Sequence, residues 1–208
     1  MLDGGASPAH ARELLSALDA RPAAVVYTHS HWDHVFGGAA VGAPVVAQRL
    51  TAPRLVELAA VDWSDEALDR LVAAGELPAQ YAADIKEELP SPRSVEIAPA
   101  DVVFDAGLDF DLGDVRVAIR HVGGDHAPDS SVAFVEPDCV LFLGDCLCEA
   151  PSGGVTAGHA LPLHETILSF DARIYVEGHH DALTSRGELD AYLAELRELA
   201  TWTQQPAS

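Results

Sequence analysis

The stretch THSHWDH, residues 28–34, sets three imidazoles and a carboxylate within seven positions. Groups this close crowd one another unless something positive sits between them. His29 and His31 stand at i and i+2 in a segment leaving a short apolar strand, PAAVVYTH, so both can point the same way. Asp33 and His34 follow after about a turn's worth of chain. A loop of this kind can aim the first pair at one metal ion and the second pair at another. Imidazole with carboxylate suits zinc, with iron or manganese as alternatives.

If that reading holds, further donors are expected at other strand ends, and the sequence supplies them. GGDHAPDS places His126 just after the strand VRVAIRHV. VLFLGDCL places Asp145 at the end of a buried apolar strand, and RIYVEGHH places His179 at the end of another. An aspartate that closes a hydrophobic strand is costly unless its charge is paired or metal-bound. Glycines at 123, 124, 144 and 178 stand beside these donors and permit close backbone approach.

His-x-His-x-Asp-His, then Asp-His, then Leu-Phe-Leu-Gly-Asp, then Gly-His resembles the metallo-β-lactamase fold superfamily, in motif and in order, over residues 3–180. The resemblance implies that His29, His31 and His126 hold one metal, that Asp33, His34 and His179 hold a second, and that Asp145 bridges them. LDGG resembles the superfamily's first motif, in which the aspartate, here Asp3, braces the histidine loop without binding metal. The implied fold is α+β, a four-layer αββα sandwich lacking the strands that relatives carry before LDGG. The implied activity is that of a metal-dependent hydrolase with two zinc ions. A metal-bridging hydroxide would attack a small ester, thioester or lactone, while Asp33 orients the nucleophile and passes its proton to the leaving group. Two other readings resemble the same motifs: a mononuclear iron persulfide dioxygenase, and a β-lactam or phosphodiester hydrolase. The sequence departs from the family where Gly-His-Thr is replaced by Asp125-His126-Ala127.

Composition narrows the partners. The 208 residues favour a single domain, residues 1–208. A formal charge of −21 makes a poor surface for nucleic acid or anionic lipid, because phosphate binding needs clustered Lys and Arg. A small-molecule substrate is expected instead. Three cysteines without a disulfide-framework spacing suit a reducing, cytoplasmic compartment, and the start MLDGGASPAH has neither the basic nor the apolar region of a signal peptide. Cys146 and Cys148, flanking Asp145, are expected to pack at the strand end.

Along the chain, Ser7 and Pro8 mark a helix start, with Leu14, Leu15 and Leu18 on its apolar face. Residues 51–90 read as a helical insertion covering the site mouth. From Val95 onward the pattern turns to strands, then to a short helix HETILSF and a long C-terminal helix. His121 is expected as an ordinary sheet residue and His180 as a solvated loop residue. His159 and His164 are expected to cap a helix or lie at the surface. A first sheet without its outer strands exposes an edge, so a homodimer through that edge is expected.

Overall fold

The structure, a computed structural model, describes residues 1–151, 157–180 and 182–203. Two compact units divide the chain, Met1–Phe104 and Asp105–Ser208.

In the first unit, α1 (Pro8–Ser16) begins as its sequence dictates. Ser7 is the N-cap, its hydroxyl accepting from the His10 N–H, and Pro8 occupies the first turn. Such a cap stabilises a helix by about 1 kcal/mol. The apolar face differs from expectation. Ala11 is the buried residue, whereas Leu14 and Leu18 are exposed and the helix ends before Leu18. Heptad-like leucines mark a stripe, but nothing in the sequence says that the stripe is covered.

Strands β1 (Val25–Val26), β2 (Val45–Gln48) and β3 (Val102–Phe104) form a parallel sheet in the order β1-β2-β3. Leu2 adds a single parallel bridge to Val26, with the Asp3 N–H donating to the Val26 carbonyl. Between β1 and β2 lie the short helices α2 (Trp32–Val35) and α3 (Gly38–Val41). Gly38 is required there, because a Cβ would lie 1.7 Å from the Tyr27 hydroxyl.

The stretch 51–90 is helical as read: α4 (Thr51–Ala59), α5 (Asp65–Ala74) and α6 (Ala79–Glu88). Ser64 caps α5 by accepting from the Ala67 N–H, and Gly75 ends it in the left-handed conformation that favours glycine. These helices join the sheet in one core, where Tyr27, Phe36, Leu55, Trp63, Leu68 and Ile85 are buried. Arg93 locks α5 to the chain after α6 by donating to the Leu89 and Trp63 carbonyls and to the Asp65 carboxylate.

The second unit is built on a six-stranded sheet. Its strands are β4 (Gly107–Asp111), β5 (Arg116–His121), β6 (Ser131–Glu136), β7 (Val140–Gly144), β8 (Ile174–Glu177) and β9 (Thr184–Ser185), hydrogen-bonded in that order. Pairing is antiparallel except between β7 and β8. Helix α7 (Ala157–Ser169) lies between those two strands in the chain, as the crossover that a parallel pair needs. It is longer than HETILSF alone and contains Pro162, at the loss of one helix hydrogen bond. Helix α8 (Arg186–Thr203) closes the unit. Val132, Leu141, Leu143, Ile167, Tyr175 and Leu189 form its core. No described helix is long and apolar enough to cross a membrane.

Candidate metal centre

The first unit gathers His29, His31, Asp33 and His34 where β1 runs into α2. Ring centroids of His29 and His31 are 4.5 Å apart, and those of His29 and His34 are 4.1 Å apart. The Asp33 Oδ2 lies 3.5 Å from His34 Nε2. His29 and His34 are buried, while His31 and Asp33 are partly exposed.

Asp3 organises this cluster. Its φ of +53° is left-handed, a conformation that Asp tolerates better than most residues. Its Oδ1 accepts from the Thr28 N–H at 2.7 Å, and its Oδ2 accepts from the Thr28 hydroxyl at 2.9 Å. His34 Nδ1 meets the same Oδ2 at 2.9 Å, and His29 Nδ1 meets Thr28 Oγ1 at 3.1 Å. With both Nδ1 atoms protonated, each ring presents Nε2 as its ligand atom. A second carboxylate or hydroxyl behind a histidine is the usual way that tautomer and ring direction are set for a metal.

The second unit gathers His126, Asp145 and His179. Parallel strands finish side by side, so the end of β7 delivers Asp145 and the end of β8 delivers His179 to the same place. His179 Nε2 lies 3.0 Å from Asp145 Oδ2, and His126 Nε2 lies 3.4 Å from it. Asp145 is buried, whereas the His179 side chain is 56% exposed. His126 Nδ1 donates to the Glu149 carbonyl at 2.8 Å, which again turns Nε2 toward the carboxylate. Gly178 makes room for the aspartate: a Cβ there would lie 2.1 Å from Asp145 Oδ1. The donors of both units are imidazoles and carboxylates, with the imidazoles of His29, His34 and His126 directed from behind, a set that fits zinc.

The other histidines divide. His121 stays in β5, its Nε2 facing the Pro128 carbonyl, and His180 is a largely exposed loop residue beside Glu177. His159 is exposed and pairs with Asp125 at 2.6 Å, which gives the unusual residue before His126 a partner on α7. His164 corrects the expectation of a capping or surface role. It is 2% exposed, with Nδ1 donating to the Ala160 carbonyl, and burial pushes its pKa below the ordinary value. Thr156, in the same stretch, lies outside the described residues.

Cys146 is buried in the apolar core, where burial pushes its thiol pKa far up. Cys148 is half-buried, and its sulfur lies within 4.8 Å of a ligand atom of His126 and of Asp145. Thr28 and the Glu149 carbonyl were missed in the sequence. Thr28 left a faint signal by its place next to His29; a backbone carbonyl leaves none.

The sequence matches the family described as the metallo-beta-lactamase superfamily over residues 1–199. No curated protein matches it. Among solved structures, a metallo-beta-lactamase from Pontibacter korlensis is 20% identical with a TM-score of 0.62, over 94% of this chain and 80% of that one. BLEG-1 B3 metallo-beta-lactamase is 23% identical with a TM-score of 0.64, over 94% and 87% of the two chains. The sec-alkylsulfatase Pisa1 from Pseudomonas sp. is 17% identical with a TM-score of 0.67, over 97% of this chain but 37% of that one. The fold is therefore that of the metallo-β-lactamases, the αββα sandwich class. The chain belongs to the metallo-β-lactamase superfamily, whose members are mostly metal-dependent hydrolases.

Proposed function

We propose that this chain is a dinuclear metal hydrolase of the cytoplasm, acting on a small ester, thioester or lactone. His29, His31 and His126 would hold one zinc ion. Asp33, His34 and His179 would hold the other, with Asp145 available to both. The observation that carries the reading is the bracing of His29, His34 and His126, whose Nδ1 atoms are each tied to a protein oxygen. Bound zinc supplies a water acidic enough to ionise near neutral pH and a charge that polarises the substrate oxygen. Asp33 orients the attacking water and carries its proton to the leaving group. Asp3 and Thr28 keep the histidine loop in one direction throughout. A carboxylate at position 145, and a net charge of −21 that repels polyanions, favour a small neutral acyl compound over a nucleic acid.

Metal analysis of the purified protein, with activity against a panel of esters, thioesters and lactones, tests the proposal. Two zinc ions per chain are expected. Asp145→Asn should lower the zinc content and remove most of the hydrolysis, because loss of the bridging charge loosens both ions. One iron per chain, no metal, or an Asp145→Asn protein with full zinc would overturn it.

A further inference from the structure

We propose that Cys148 is an additional metal ligand, its thiolate reaching an ion that His126 and Asp145 also hold. The proposal rests on the metal-centre reading above. After β7 the chain makes a tight turn, closed by the Cys148 N–H donating to the Asp145 carbonyl at 2.8 Å. The turn folds the Cys148 side chain back toward the carboxylate it follows. One ligand atom each from His126, Asp145 and Cys148 then lies within 4.8 Å of the other two. With His29, His31, His126 and Asp145 on the same ion, Cys148 makes it five-coordinate, and bonds of about 2.0–2.3 Å then separate neighbouring donors by roughly 2.8–4.0 Å, so a small side-chain adjustment completes the geometry. His126 Nε2 and Asp145 Oδ2, at 3.4 Å, already meet that spacing.

The same turn contributes the Glu149 carbonyl that directs His126. Residues 145–149 therefore supply a carboxylate, a thiol and the brace for an imidazole. The other cysteines have different fates. Cys146 is sealed in the apolar core, and the Cys139 thiol donates to the Pro137 carbonyl before β7 begins. Binding is a simple exchange: the thiol gives its proton to solvent, the sulfur lone pair bonds the ion, and nothing is oxidised. A thiolate biases the centre toward zinc and away from manganese, which prefers oxygen donors.

The test uses the full chain, stripped of metal and reloaded with cobalt(II). Wild-type protein and Cys146→Ser should show thiolate-to-cobalt charge-transfer absorption in the near ultraviolet. Cys148→Ser should lose it while keeping the ligand-field bands of bound cobalt. A second readout needs no variant: zinc should slow alkylation of Cys148 in the wild-type protein by at least about tenfold, because the reactive thiolate is then engaged. Cobalt bound without the charge-transfer band, a band that survives in Cys148→Ser, or a Cys148 alkylated equally fast with zinc would overturn the assignment and leave the dinuclear reading standing. A wild-type protein that binds no cobalt would overturn both.

Discussion

Asp3 acts on the metal donors entirely through its neighbours. Its carboxylate accepts from the Thr28 N–H, the Thr28 hydroxyl and His34 Nδ1, and Thr28 passes the constraint on to His29. Asp3→Asn tests this link cleanly, because Asn also tolerates the left-handed backbone at this position while the charge and one acceptor are lost. Zinc affinity, read by competition with a chromogenic chelator, should fall by about 10–100-fold. The circular dichroism of the fold should not change. An unaltered affinity would mean that the histidines hold their direction without the brace.

At the scale of elements, two helices make separable contributions. Helix α6 brings Tyr81 to His31, with ring centroids 6.0 Å apart and the rings near perpendicular at 73°. Leu55 and Trp63, from α4 and the loop after it, are instead buried in the core, and Trp63 packs edge-on against Phe36 at 4.8 Å. Within the helical stretch 51–90, Leu55 and Trp63 thus serve the core, while Tyr81 lies against His31. Tyr81→Ala should shift KM unevenly across the ester, thioester and lactone panel and leave metal content as it was. A uniform loss of metal would assign Tyr81 to support of the histidine loop.

Helix α7 carries a different kind of residue. Burial is the main cause that lowers the His164 pKa; the hydrogen bond to Ala160 and the charge of Glu177 oppose it. The folded state therefore binds its proton less readily than the unfolded state, whose ordinary value is 6.5. The sign follows from linkage: the stability is fully present above pH 6.5 and declines as pH falls from there toward the folded pKa. In His164→Leu that portion of the acid-side decline should disappear from urea melts recorded at a series of pH values. An identical slope in both proteins would remove His164 from the account.

For the whole molecule, charge and edges govern behaviour in solution. The segment at Leu2 joins the parallel sheet by a single bridge to Val26, so its edge is only briefly paired. Sheet edges of this kind attract partner strands. We expect a homodimer through this edge, its association strengthened by salt, which screens the repulsion between two chains of charge −21. Light scattering across a concentration and salt series checks this. A monomer under every condition would show that the edge is protected by other means.

By itself the sequence determined the family, the candidate donors and most of the elements. Those features are written locally. A strand followed by THSHWDH, a Ser-Pro helix start, a Gly-Asp at a strand end and a stretch of helical periodicity each depend on residues a few positions apart. Tertiary structure decided what covers each element and what stands behind each donor. Leu14 and Leu18 read as part of the apolar face of a helix and are exposed, whereas His164 reads as a capping or surface group and is buried. Periodicity shows that a face exists without naming what packs on it. Cys148 was read as a packing residue, and only the turn after β7 places it beside Asp145 and His126. The Glu149 carbonyl that directs His126 belongs to a backbone group which every residue carries, so no residue type could announce it. Only the folded path of the chain selects which carbonyl meets which ring.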